Sequence, residues 1–244
     1  MNYEPAVETP LNHARTMQRH SAIVRITHWI VVLSVLGLLV SGMGILISHP
    51  RLYWGETGYV GTQSLIDLPI PFIIGPSVWN RPIHFFFAWI LTLTGLAYVG
   101  GGFITRHFRN DLVPGKADLR WRSIKGVMLD HLRWRQAGAN AAWTHNAAWT
   151  YNVVQRLTYL AVVFALFPAI VWTGLAMSFG VTSVFPVMAV AFGGHQSART
   201  LHFAFVALLL LFLVVHIIML FLAGFVSNVR AMITGYLAPG GNAR

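Results

Sequence analysis

The sequence predicts an all-α integral membrane protein: a four-helix transmembrane bundle with both termini cytoplasmic and with interfacial loop segments. Its 244 residues are 56% hydrophobic and 10% charged, whereas a soluble domain carries about 25% charged residues. The apolar residues form four blocks, each longer than the roughly 20 residues that cross the hydrocarbon layer as a helix. Because lipid offers no hydrogen bonds to the backbone, such blocks must satisfy their own backbone groups, as helices do.

The four blocks belong to a single domain that covers residues 1–244, with predicted spans at 23–47, 84–105, 153–178 and 199–226. The first 21 residues are polar and no cleavage site follows the apolar run, so we expect the first span to act as an uncleaved anchor.

Three loops join the spans. External loop 48–83 has an apolar middle that is too short to span and is broken by Pro69 and Pro71, which favours a place at the membrane interface or against a partner. The basic loop 106–152 is long enough to contain a short helix, for which KGVMLDHLRW is the best candidate. External loop 179–198 is apolar and Gly-rich, and we expect it to pack on the outer face.

The net charge of +10 reflects topology rather than nucleic-acid binding. Twelve basic residues lie in the N-terminal tail, in loop 106–152 and in the C-terminal tail, whereas the other two loops, with the helix starts beside them, hold Arg51, Arg81 and Arg199. This asymmetry predicts that both termini are cytoplasmic. The chain has no cysteine, which excludes disulfides, a cysteine-ligated iron–sulfur cluster and thioether-linked haem.

Four histidines lie within the spans or at their ends: His28, His84, His202 and His216. Ionisable residues in a bilayer usually face the bundle interior and serve a function; the structural alternative is an interhelical hydrogen bond. His202 and His216 are 14 residues apart on one helix, which puts them on one face about 21 Å apart. Two haem groups, each with two axial histidines, would fit at these two levels.

The topology pairs the histidines by level. With the N-terminus inside, His84 and His202 fall on the external side, and His28 and His216 fall toward the cytoplasm. We therefore predict that these four histidines are the iron ligands. Gly42 and Gly95 lie near the faces of their ligating helices at the level of the other haem, where they would leave room for it; ordinary small-residue packing is the alternative.

An arginine stands three residues before three of the histidines: Arg25 before His28, Arg81 before His84 and Arg199 before His202. Residues three apart share a helix face, so each arginine lies about one turn nearer the surface and can bond a haem propionate. Snorkelling of these arginines at helix ends is the alternative, although it does not explain the repeated offset.

The motifs RITHW, HPRLYWG, RPIHFFFAWILTLTGLAYV, YNVVQRLTYL, TGLAMS, GGHQSARTLHF and RAMITGY carry a family resemblance over about residues 20–236. The chain resembles the bacterial dihaem cytochrome b subunits grouped with the cytochromes b of nickel–iron hydrogenase, formate dehydrogenase and thiosulfate reductase. It is most similar to the thiosulfate-reductase type, which often accompanies a molybdopterin oxidoreductase.

The resemblance implies two haem b groups and a quinone site near the cytoplasmic haem. In formate-dehydrogenase-like relatives that site uses Asn and Gln at the start of span three, and Asn152 and Gln155 match those positions. An N-cap role for Asn152 is the alternative.

These observations predict a membrane-bound electron-transfer subunit between the quinone pool, ubiquinone or menaquinone, and an external redox partner such as a molybdopterin oxidoreductase. The other expected contact is membrane lipid, and homo-oligomerisation stays open. One alternative is a stand-alone quinone-linked cytochrome that oxidises superoxide or reduces an external acceptor. A proton-relaying transporter is the second, but the spans contain no Asp or Glu that could carry protons.

Overall fold

The computed structural model describes residues 21–58, 61–70, 77–106, 108, 113, 153–222 and 224–236, without the side chains of residues 77 and 153–155. Four of its helices are long and apolar enough to cross a membrane. The predicted all-α membrane fold is therefore confirmed. The candidate short helix in loop 106–152 lies outside the described residues.

The first span is helix α1 (Ala22–Ser48), which begins after Ser21. The Ser21 hydroxyl accepts a hydrogen bond from the backbone N–H of Val24 at 3.4 Å, which satisfies one of the free donors of the first turn. Three serines spaced seven residues apart, Ser34, Ser41 and Ser48, are buried. Small buried side chains at this spacing let another helix approach closely.

The second span is helix α2 (Ser77–Ile104), which packs along α1 as an antiparallel hairpin. Gly37 of α1 faces the ring of Phe87, and Gly44 faces the Asn80 side chain. The helix begins seven residues before the predicted boundary at residue 84, so the segment that carries Arg81 and Pro82 is helical. Pro82 lies in the second turn of the helix, where it lacks the N–H that another residue at that position would donate within the helix.

A two-stranded antiparallel sheet forms part of the loop between α1 and α2. Strand β1 (Arg51–Leu52) pairs with β2 (Ile66–Asp67), and Arg51 lies opposite Asp67. The Arg51 Nε and an Asp67 carboxylate oxygen are 3.3 Å apart. The sequence did not predict this sheet, because two-residue strands leave no periodic pattern.

The third span, α3, consists of three consecutive helical segments: Val153–Ala161, a π-helical turn Val162–Leu166, and Phe167–Ala176. Pro168 is the second residue after the π-helical turn. Proline lacks an N–H and its ring collides with the carbonyl four residues earlier in a regular α-helix. A wider turn at this point is one way to accommodate the ring.

Two short helices, α4 (Phe179–Thr182) and α5 (Val187–Val190), connect α3 to the fourth span, α6 (His195–Leu222). Helix α6 starts four residues earlier than predicted and ends four residues earlier. Gly224 then adopts a positive φ of 96° and a last helix, α7 (Phe225–Thr234), follows. The predicted span 199–226 therefore included the start of a separate helix.

The bundle consists of two hairpins, α1 with α2 and α3 with α6. The external loop joins them, because the Gly55 N–H donates to the Ser197 hydroxyl at 2.7 Å and the Thr200 hydroxyl donates to the Tyr53 carbonyl at 2.6 Å. Many apolar side chains on the outside of the helices are exposed, for example Val40 at 75% and Leu211 at 61%. Such surfaces are suited to contact with lipid.

Candidate functional site

The two external histidines face each other across the hairpins. His84 lies on α2 and His202 lies on α6, and their ring centroids are 6.4 Å apart. An imidazole nitrogen bonds a transition metal at about 2 Å, so two imidazoles on opposite sides of one iron have centroids about 6 Å apart. The spacing of these rings fits one bis-histidine metal centre.

Each external histidine has a buried hydroxyl at its Nδ1 atom. The Ser41 hydroxyl oxygen lies 3.0 Å from Nδ1 of His84, and the Thr173 hydroxyl oxygen lies 3.0 Å from Nδ1 of His202. His202 Nδ1 is also 3.1 Å from the carbonyl of Ile170. Bonds at Nδ1 leave the Nε2 lone pair of both rings available to a metal.

A glycine follows each of these hydroxyl residues. A Cβ atom built on Gly42 would lie 3.3 Å from Cε1 of His84, and one on Gly174 would lie 3.6 Å from Cε1 of His202. Gly42 therefore makes room for a histidine ring, in addition to any room it leaves for a haem. No atom lies within 4 Å of a Cβ position on Gly95, so that glycine borders open space.

The cytoplasmic histidines also come together. His28 on α1 and His216 on α6 are near enough for an electrostatic interaction. The ring of His28 meets Trp29 edge-on at 5.4 Å, and His216 stacks on Phe212 at 5.8 Å. Within the described residues, Nδ1 of His28 is buried and has no hydrogen-bond partner. A buried polar atom without a partner is costly in free energy, and no hydroxyl among the described residues holds this ring nitrogen as Ser41 and Thr173 hold those of the external pair.

The three arginines of the R-x-x-H motifs lie at the ends of the bundle. Arg25 donates from Nη2 to the Ile233 carbonyl at 2.5 Å, and Arg199 donates from Nη2 to the His49 carbonyl. Arg25 and Arg199 thus each bond a carbonyl at a helix end, which the sequence did not predict. The Nε of Arg25 is buried and has no partner in the described part of the chain, so it is free to bond an anion.

On the external side, Arg81 and Arg199 are near enough to repel each other. Two close guanidinium groups favour an anion between them, and a haem propionate is such an anion. Burial, followed by the charge of nearby Arg199, lowers the pKa of His49. His49 therefore tends to stay neutral beside these two cations.

The predicted quinone contacts fall at the edge of the described part of the chain. Asn152 lies outside the described residues, and Gln155 has a described backbone in α3 but no described side chain. Ser41, Thr173 and Gly174 are the site residues that the sequence interpretation missed. The sequence does contain a pattern that could have indicated them. In each case a hydroxyl residue followed by glycine lies in the span before the R-x-x-H motif: Ser-Gly before Arg81–His84 and Thr-Gly before Arg199–His202.

The chain is similar to a known family of membrane proteins and to a curated relative. A family model described as prokaryotic cytochrome b561 matches residues 19–235. The chain is also 27% identical over 217 residues to a putative protein-methionine-sulfoxide reductase subunit, YedZ1, of Azospira oryzae; the match covers 89% of this chain and 96% of that relative. No solved structure gives a significant match.

Proposed function

Because the chain belongs to the prokaryotic cytochrome b561 family, a family of haem b membrane proteins, we propose that it carries electrons between quinone and an external redox partner through two haem groups. It is a multi-pass protein of the bacterial inner membrane and an electron-transfer subunit. We propose four further points: the number of haem groups, their ligands, the quinone as one redox partner, and an external protein as the other. The observation that carries it is the pair of external histidines, whose ring centroids are 6.4 Å apart on two different hairpins.

In the external site, His84 and His202 hold the iron through Nε2, and Arg81 and Arg199 neutralise the propionates. In the cytoplasmic site, His28 and His216 hold the iron, and the buried Nε of Arg25 supports the role of that arginine at a propionate. One-electron transfer is the chemistry that bound haem supplies; the chain positions it and sets its electrostatics. His202 and His216 are 14 positions apart on α6, which corresponds to about 21 Å along the helix and supports two separate sites.

Quinone is proposed to bind on the cytoplasmic side through Asn152, which precedes α3 in the sequence, and Gln155 of α3. Amide groups can donate hydrogen bonds to the two carbonyls of a quinone. The position of these residues, three apart at a helix start and on the same side as His28 and His216, supports this assignment.

The partner is proposed to dock on the external face, near the His84–His202 site. The similarity to a reductase subunit supports a partner enzyme, and a molybdopterin-type oxidoreductase is the class we propose. A stand-alone cytochrome that acts on superoxide or another external acceptor is the rival. Purification of the native complex separates them, because a second redox subunit that is reduced by quinol through this chain is expected only for the first.

The ligand assignment is tested by haem content and an optical redox titration of the purified protein. We expect two haem b groups per chain, loss of one redox component in His84→Ala, and loss of the other in His28→Ala. His195→Ala is the matched control, because His195 lies on α6 two turns before His202 yet is not a proposed ligand. Two haem groups that persist in both ligand variants would show that the pairing is wrong.

A further inference from the structure

The external site contains the same local arrangement twice. On α1, Ser41 and Gly42 face His84 of α2; on α3, Thr173 and Gly174 face His202 of α6. The hydroxyl oxygen is 3.0 Å from Nδ1 in both cases, and both hydroxyl residues are buried, with exposures of 1% and 0%. One such contact is compatible with chance packing, but two matching ones on opposite sides of one site indicate a shared role.

The direction of these hydrogen bonds follows from the other bonds of the hydroxyls. Ser41 already donates its only hydroxyl hydrogen to the Gly37 carbonyl at 2.7 Å, and Thr173 donates to the Ala169 carbonyl at 2.8 Å. A hydroxyl has one hydrogen and two lone pairs. The Ile170 carbonyl, 3.1 Å from Nδ1 of His202, can only accept a hydrogen bond, so His202 carries its hydrogen on Nδ1. Because Ser41 and Thr173 each have a carbonyl of their own helix to donate to, we infer that both hydroxyls accept from Nδ1 and that the lone pair of each histidine is on Nε2.

We propose that Ser41 and Thr173 are positioning residues of the external haem, which fix the tautomer and orientation of His84 and His202 and lower the potential of the iron between them. This inference rests on the proposed function, because it needs both histidines as ligands. A hydrogen bond accepted from the distal nitrogen of a ligating imidazole makes the ring a stronger donor to the metal. A stronger donor stabilises the ferric state over the ferrous state.

The two sites differ in the hydrogen bonding of Nδ1 of their histidines. The external rings are each held by a hydroxyl from the neighbouring helix, whereas His28 Nδ1 has no partner among the described residues. The proposed effect is therefore specific to the external haem, and the cytoplasmic haem of the same molecule serves as an internal reference.

The test is the midpoint potential of each haem in the full-length protein, with the external component identified as the one lost in His84→Ala. We expect Ser41→Ala and Thr173→Val each to raise the midpoint potential of the external haem. At a fixed applied potential, the ferric-to-ferrous ratio of that haem should fall by at least about twofold and up to about tenfold. A tenfold fall corresponds to a rise in midpoint potential of about 59 mV for a one-electron couple. The potential of the cytoplasmic haem should not move. The electron paramagnetic resonance spectrum of the oxidised, low-spin external haem should change as well, because the orientation of the two histidine rings determines it.

Two controls separate this role from packing. Ser34→Ala removes a hydroxyl that is equally buried on α1 and that donates to the Ile30 carbonyl at 2.8 Å; it should leave both potentials unchanged. Thr173→Ser keeps the hydroxyl and loses only the methyl group, so it should retain the wild-type potential that Thr173→Val loses.

Two results would overturn the inference. The first is wild-type potentials in Ser41→Ala and Thr173→Val with the haem retained. The second is loss of the external haem in Thr173→Ser as well as in Thr173→Val, because packing then explains both. Loss of haem in Thr173→Val alone supports the inference. A failure of the proposed function looks different, because His84→Ala would then keep both haem groups.

Discussion

At the scale of single residues, Gly194 joins the external loop to the start of α6. Its φ is 118°, in a region that L-residues rarely adopt, and a Cβ atom there would lie 2.5 Å from the Glu56 carboxylate and 2.6 Å from the Gly55 carbonyl. The Gly55 carbonyl also accepts the N–H groups of Gln196 and Ser197. Both the conformation and the close approach therefore require glycine.

Gly194→Ala is expected to lower the thermal stability of the detergent-purified protein. The backbone conformation alone costs about 1–2 kcal/mol for a residue with a Cβ, and the collision with the loop adds to it. Gly61→Ala is the matched control, since Gly61 has a φ of 97° but no atom within 4 Å of its Cβ position. A Gly194→Ala protein that melts at the same temperature as Gly61→Ala would show that the close approach is unimportant.

At the scale of helices, α7 is held by two side chains of the RITHW motif. Arg25 donates to the Ile233 carbonyl and Trp29 Nε1 donates to the Met232 carbonyl at 3.3 Å. Both acceptors are in the last turn of α7, where carbonyls lack partners within the helix. The motif therefore places one proposed ligand histidine and also anchors the C-terminal helix beside it.

Trp29→Phe removes the indole donor but keeps an aromatic side chain. We expect the amides of α7 to exchange with deuterium several-fold faster, because a hydrogen bond of this kind contributes about 1 kcal/mol. Trp89→Phe is the control, since Trp89 is 58% exposed on the outside of α2. Equal exchange of α7 in both variants would count against the anchor.

The helices also show what a sequence can predict. The four spans follow from hydropathy, and the facing histidines follow from helix periodicity and chain direction, because those features are local. The hydrogen bonds of Ser41 and Thr173 depend on the rotation of one helix against another, which no local pattern encodes. The π-helical turn and the break at Gly224 were missed because uninterrupted apolar residues conceal a change in helix geometry.

At the scale of the whole molecule, each histidine pair is divided between the hairpins. His28 and His84 lie on α1 and α2, whereas His202 and His216 lie on α6. The external loop supplies the backbone contacts that link the two hairpins on that side, through Gly55 and Tyr53.

A split chain tests this division. We expect residues 1–130 expressed alone to bind no haem with two histidine ligands, and residues 131–244 alone to bind none either, because each holds one ligand of each pair. Co-expression of the two parts should restore a low-spin haem spectrum. A bis-histidine spectrum from either part alone would contradict the division, and an intact chain expressed in parallel is the control for membrane insertion.

The split of the ligands has a consequence for biosynthesis. The chain leaves the ribosome with its N-terminus first, so the first hairpin enters the membrane with one ligand for each proposed site. The partner ligands arrive only with α6, the last span. A nascent or prematurely terminated chain would therefore offer only one histidine at each proposed site, and completion of both pairs would wait for the insertion of α6.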